Sequence, residues 1–188
     1  MYKNLDSYVQ IKHNFLDDSL CKKVLKDLKK VQWQPHTFTE NNSGKLITLS
    51  GKKELECGYV EQNNQNTKLI MNKLWFEIDN YIKQLKFPWF NGWNGYSHVR
   101  YNKYQTTKQM AEHYDNISSL FKDGGMPILS LVVLLNDDFK GGELVMFKDV
   151  EYKLKAGDLI IFPSSFLYPH KVNPVKKGTR YSAVSWVW

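Results

Sequence analysis

The 188-residue chain carries a formal charge of +7 with a pI near 9.2, and 14% of its residues are aromatic. That length suits one domain with a substantial core, and no apolar run approaches the roughly 18 residues of a membrane span. Cys21 and Cys57 share no close-spaced motif, which argues against a disulfide framework and a thiolate metal site.

The opening Met1-Tyr2-Lys3-Asn4-Leu5-Asp6 has no apolar leader region, so no secretory signal is expected. Together with the two thiols this predicts a reducing, cytoplasmic setting with no membrane partner. The basic balance favours an acidic partner or substrate, and charge alone makes nucleic-acid binding the less favoured reading.

Tyr8 to Phe15 alternates apolar and polar residues and predicts a strand. Asp17 or Asp18 can cap the helix that follows, to about Val31, which buries Leu20, Cys21, Val24, Leu25 and Leu28. The lysines of this helix lie mostly on its opposite face, which reads as a solvated surface. Thr37 to Glu40 and Leu46 to Leu49 flank an Asn-Asn-Ser-Gly turn, as in a hairpin or a loop. Asn66 can cap a second helix, Thr67 to about Lys86, with Ile70, Leu74, Ile78 and Ile82 on one stripe widened by Trp75 and Leu85. Pro88 is read as its stop. Phe87 to Tyr96 is an aromatic linker suited to packing between a helical layer and a sheet.

From Tyr96 onward the chain reads as short strands separated by turn residues. The segments are Tyr96–Tyr104, Glu112–Asp115, Pro127–Leu135, Glu143–Phe147, Tyr152–Leu154, Asp158–Phe162, Tyr168–Val172 and Thr179–Trp188. Such spacing indicates a jelly roll or barrel. Leu129 to Leu135 is apolar on both faces and is expected to be a covered central strand. The fold class is therefore mainly β with flanking helices (α+β).

His113 and Asp115 stand at i and i+2, a spacing that brings both side chains to one face only in extended backbone. His170 follows far downstream, and Arg180 lies ten residues beyond it. Two imidazoles and one carboxylate form the facial ligand set of non-haem iron(II) sites, with coordination positions left open. Glu112 should point to the opposite face. His13, His36 and His98 match no ligand slot and read as structural or solvent-facing. Gly141-Gly142 reads as a turn or bulge, because no helix follows to cradle a phosphate.

Residues Tyr101 to Trp188 resemble the iron(II)- and 2-oxoglutarate-dependent oxygenases, in the prolyl 4-hydroxylase-like branch. The resemblance rests on His113-x-Asp115, Gly141-Gly142-Glu143-Leu144 with Phe147, Ala156-Gly157-Asp158 leading into Phe162-Pro163, then His170 and Arg180. It implies a double-stranded β-helix (jelly roll) core within a single oxygenase domain, 1–188. Residues 1–95 would give helical and strand support, and 96–188 would hold the site.

By this resemblance His113, Asp115 and His170 would hold Fe(II), and Arg180 would grip the distal carboxylate of 2-oxoglutarate. Tyr104 and Ser182 would bind the same cosubstrate, and Trp186 would lie near the substrate. Oxidative decarboxylation of 2-oxoglutarate by O₂ would drive hydroxylation of an unactivated C–H bond, with ascorbate as a reductant. A protein or peptide carrying proline is the expected substrate.

Two departures bear on that substrate. Collagen-type prolyl hydroxylases carry lysine where this chain has Arg180, and many relatives have tyrosine where it has Met110. The alternatives are the same chemistry on a free amino acid, small metabolite or nucleic acid, and a non-catalytic jelly-roll binding module. Alkylation-reversing DNA dioxygenases carry a second arginine six residues after the first. Trp186 occupies that place here, which argues against nucleobase demethylation.

Overall fold

The computed structural model describes residues 4–42, 45–49, 51–86, 93–116 and 125–188, the side chains of 38–49 excepted. The first part of the chain forms β1 (Gln10–Lys12), α1 (Asp18–Asp27), β2 (Gln34–Pro35), β3 (Phe38–Asn42), β4 (Lys45–Leu49), β5 (Glu56–Gly58) and α2 (Gln65–Leu85). Next come β6 (Arg100–Tyr104), β7 (Met110–His113), β8 (Leu129–Leu134), β9 (Lys140–Gly141) and β10 (Leu144–Met146). The last strands are β11 (Val150–Tyr152), β12 (Leu159–Pro163), β13 (His170–Val172), β14 (Val175–Lys177) and β15 (Arg180–Val187). No helix among the described residues is long and apolar enough to cross a membrane.

Two antiparallel sheets face one another as a jelly roll. The larger runs β1-β12-β8-β15-β6-β5-β2 and the smaller β11-β10-β13-β7. Strand alternation divides the apolar residues between two cores. Leu129, Leu131 and Val133 of β8, with Ala183 and Val187 of β15, point outward against α1 and α2. There they meet Leu20, Val24, Ile70, Leu74 and Ile78. The alternate residues, including Val132, Val184 and Trp186, point into the gap between the sheets, where they meet Met110, Leu144 and Met146. All six residues of β8 are buried, as expected of a strand apolar on both faces.

Side chains at the helix ends set where the helices begin. Asp17 accepts from the Leu20 N–H at 2.8 Å and starts α1. The cap of α2 is Asn64, whose Oδ1 accepts from the Thr67 N–H at 2.9 Å, and not Asn66. Asn66 is the second residue of the helix, and it and Asn64 both donate to Asp27, at 2.7 and 2.9 Å, tying α2 to the end of α1. The second helix ends at Leu85, with Lys86 in the left-handed region at φ 53°. Pro88, proposed as its stop, and the linker as far as residue 92 lie outside the described residues. The first strand is shorter than expected because Asn14 turns the chain at φ 53°. Trp75 is half exposed and stacks in an aromatic cluster with Trp93, ring centres 4.5 Å apart.

The expected hairpin is present as the antiparallel pair β3–β4, and residues 117–124, in the segment between Asp115 and β8 that could serve as a lid, lie outside the described residues. The pair β9–β14 was not apparent from the sequence. It brings Gly141 against the Pro174 carbonyl, where an added Cβ would sit 2.4 Å from that oxygen. Gly141 and Gly142 adopt φ of 75° and 67°, so this double glycine meets a backbone requirement.

Candidate metal centre

β7 and β13 pair antiparallel, which sets His113 directly opposite His170 although they are far apart in the chain. Their ring centres are 4.2 Å apart. His113 Nδ1 lies 2.8 Å from the Ala111 carbonyl, and His170 Nδ1 lies 3.1 Å from the Tyr168 carbonyl. A carbonyl can only accept, so each Nδ1 carries the proton and each Nε2 keeps its lone pair. The two Nε2 atoms are the ones that face Asp115, at 3.4 Å from Oδ1 for His113 and 3.7 Å from Oδ2 for His170. The ligand atoms of the three residues lie within 4.8 Å of one another, the one such cluster among the described residues.

Asp115 stands just past the end of β7 and reaches across to the larger sheet. Ser130 Oγ on β8 donates to its Oδ2 at 2.7 Å, and the Ser130 and Ser164 hydroxyls are 2.7 Å apart. Burial works against the Asp115 charge, but His170, His113 and the Ser130 hydroxyl outweigh it and hold the carboxyl well below its usual range. Burial pushes His170 down to about 4, against the pull of Asp115. An ionised carboxylate beside a neutral imidazole is the protonation state that ligates a metal.

Arg180 opens β15 and is 2% exposed. Its strand partner is Tyr104 on β6, whose ring centre lies 4.9 Å from the guanidinium carbon. Arg180 Nη1 donates to Ser182 Oγ at 3.1 Å. Its Nε finds no hydrogen-bond partner and the side chain no carboxylate among the described residues. A buried cation without a countercharge is costly. An anion entering the cavity would offset that cost, so the residues fit a carboxylate-bearing cosubstrate. Burial lowers the Arg180 pKa and Tyr104 opposes this, yet arginine stays charged.

All seven residues singled out in the sequence, His113, Asp115, His170, Arg180, Tyr104, Ser182 and Trp186, line one cavity between the sheets. Glu112 is exposed, on the other face of β7. His13 is also exposed and has its Nδ1 3.0 Å from Asp158. Two residues beside the site, Ser130 and Arg100, went unnoticed in the sequence, and His36 was read only as structural or solvent-facing. Ser130 shares the inward face of β8 with Val132, and Arg100 shares that of β6 with Tyr104. Index parity within each strand was the signal for both. His36 is buried after β2, its N–H donating to the Leu55 carbonyl at 2.9 Å. Burial, then Arg100 and His113, push its pKa down to about 3. No local pattern marks His36, because pairing of β2 with β5 carries it there.

Residues 99–188 match the family model described as the 2OG-Fe(II) oxygenase superfamily. A PKHD-type hydroxylase of Crocosphaera subtropica is 33% identical over 94 residues, covering 47% of this chain and 41% of that protein. One from Xylella fastidiosa strain 9a5c is 38% identical over 100 residues, covering 47% and 43%. The chain thus spans less than half the length of these curated relatives. Among solved structures it is similar to the viral collagen prolyl hydroxylase of Paramecium Bursaria Chlorella virus-1 in complex with 2OG. That likeness has a TM-score of 0.69 and 18% identity, with 98% of each chain covered. A prolyl-4-hydroxylase of Pseudomonas putida gives a TM-score of 0.68 at 19% identity, covering 95% of this chain and 91% of that one. The Trichoplax adhaerens prolyl hydroxylase, in complex with a hypoxia inducible factor peptide fragment, gives 0.68 at 19%, covering 96% and 83%. At such identities these likenesses establish the fold.

Proposed function

We propose, from the match of residues 99–188 to the 2OG-Fe(II) oxygenase superfamily model, that the chain is a 2-oxoglutarate-dependent dioxygenase of that family. It would hydroxylate an unactivated C–H bond, as a peptidyl-prolyl 4-hydroxylase-like enzyme. The observation that carries this reading is the meeting of His113, Asp115 and His170 beside a buried Arg180 that has no carboxylate partner among the described residues. The prolyl assignment draws support from the solved neighbours, three of which are prolyl hydroxylases, one of them holding a peptide.

His113 Nε2, His170 Nε2 and the Asp115 carboxylate would hold Fe(II), with 2-oxoglutarate as cosubstrate. Bound iron, with 2-oxoglutarate and O₂, supplies the oxidation of a C–H bond that ordinary side chains cannot attack. Arg180 would take the distal carboxylate through paired charge-assisted hydrogen bonds. The Ser182 hydroxyl already orients that guanidinium from below. Burial raises the Tyr104 pKa, so its phenol stays protonated and would donate to the same carboxylate. Val132, Leu144 and Val184 form apolar walls that exclude water, and Trp186 would face the substrate. The chain would act as a single domain, residues 1–95 supporting the site held in 96–188.

The test is incubation with Fe(II), 2-oxoglutarate, ascorbate, O₂ and proline-containing peptides. The reading expects succinate together with a peptide heavier by one oxygen atom. Succinate without any oxygenated peptide across a broad panel would remove proline as the substrate. No succinate under any of these conditions would remove the oxygenase.

A further inference from the structure

The cavity holds a second guanidinium that the reading above does not use. Arg100 begins β6, and its Cζ lies 4.7 Å from the centre of the Trp186 ring. Nε donates to the neutral Asn102 side chain at 3.2 Å. Among the described residues no carboxylate lies within ion-pairing distance of it. The remaining guanidinium N–H groups likewise find no hydrogen-bond partner among them. Asp115, the one carboxylate among the described residues of the cavity wall, is engaged by His113, His170 and Ser130.

Strand register fixes the level at which Arg100 sits. Ser130, which holds Asp115, is the strand partner of Trp186, and Trp186 is the ring that Arg100 covers. Arg100 itself pairs with Val184, four residues along β15 from Arg180, about 13 Å for extended chain. One guanidinium therefore closes the far end of the cavity, while the other stands level with the candidate metal ligands. Arg100 is half-buried where Arg180 is fully buried, so Arg100 is the one an incoming molecule can reach. Its positive charge also bears on His36, Tyr59 and Tyr104.

Resting on the reading above, we propose that Arg100, seated over the Trp186 ring, binds a carboxylate of the substrate beside the metal centre, so that the hydroxylated molecule is an acid. A cation–π contact with the indole does not use up the N–H groups of a guanidinium, and two parallel N–H groups match the two oxygens of a carboxylate. The carboxylate belongs either to an acidic residue next to the target in a peptide or to a small free acid.

The test uses wild type, Arg100→Gln and Arg100→Lys, each loaded anaerobically with Mn(II) and 2-oxoglutarate and titrated by calorimetry. The probes form two pairs. One is an acetylated, amidated Gly-Pro-Asp-Gly peptide and its Asn counterpart; the other is N-acetylproline and N-acetylprolinamide. In at least one pair the acid should bind wild type about tenfold or more tighter than the amide. Arg100→Gln should abolish that preference while leaving the amide unchanged, and Arg100→Lys should keep part of it. The pair that shows the preference identifies the source of the carboxylate. Equal binding of acid and amide in both pairs, or a preference that survives Arg100→Gln, overturns the proposal. The visible band of Fe(II) with 2-oxoglutarate is read in parallel on wild type. Its absence overturns the oxygenase reading and this inference with it, whereas its presence without any acid preference overturns this inference alone.

Discussion

The two faces of the larger sheet are built from the same strands and do different work. Outward, Leu129, Leu131, Val133, Ala183 and Val187 press against the helices in a largely apolar layer, its few hydroxyls paired with one another or with backbone. Inward, the intervening residues include Ser130, which holds Asp115, and Arg180, Ser182 and Trp186, which line the cavity of the candidate site. A one-residue step along β8 or β15 therefore crosses from the part that holds the fold to the part that lines the candidate site. Substitutions at neighbouring positions should separate cleanly into losses of stability and losses of function.

The largest expected effect lies inward. His113→Ala or Asp115→Ala should abolish turnover while the far-UV spectrum and the cooperative unfolding transition persist; unfolding of both variants would break the division. Next comes Arg180→Ala, which leaves an entering carboxylate without its countercharge. Removing one partner of a buried charge pair costs about 2–5 kcal/mol, or roughly 30-fold or more in 2-oxoglutarate affinity. Calorimetric affinity unchanged from wild type would contradict the role given to this arginine. On the outer face Leu74→Ala, at a site 1% exposed, should cost about 2–5 kcal/mol in denaturant unfolding. Its 2-oxoglutarate affinity should stay as in wild type.

The smallest effect concerns pH and sharpens the contrast from the inner side. An unfolded histidine takes up a proton near pH 6.5, whereas folded His36 waits until about 3 and His170 until about 4. Between those limits the unfolded chain binds more protons, so stability of the metal-free protein should fall as pH drops below 6.5. Asp115, held below the usual carboxylate range in the folded state, adds a loss of the same sign at lower pH. His36→Gln should flatten the first part of that decline in denaturant titrations; an unaltered slope would mean that His36 is not buried neutral.

Much of this was legible in the sequence because chemistry and strand period coincide. His113 and Asp115 sit two apart, and Arg180, Ser182 and Trp186 share one parity; the cavity receives all five. The unbroken apolar run of β8 likewise announced a strand covered on both sides. What escaped depended on distant pairing. Asn64 and Asn66 are equally good caps on local grounds; both amides donate to Asp27, and it is the helix starting at Gln65 that leaves Asn64 as the cap. His36 reaches the site through the register of β2 with β5, and β9 with β14 is too short to leave a periodic trace. Asp115 itself lies past the end of its strand, oriented by Ser130 from the opposite sheet.

The claim on which the account turns is that three side chains from two distant segments bind one ferrous ion with 2-oxoglutarate. Anaerobic titration of Fe(II) into the protein with 2-oxoglutarate should produce a visible charge-transfer band that saturates at one ion per chain and vanishes in His170→Ala. No band in the wild type, or a band of full intensity in His170→Ala, would contradict it.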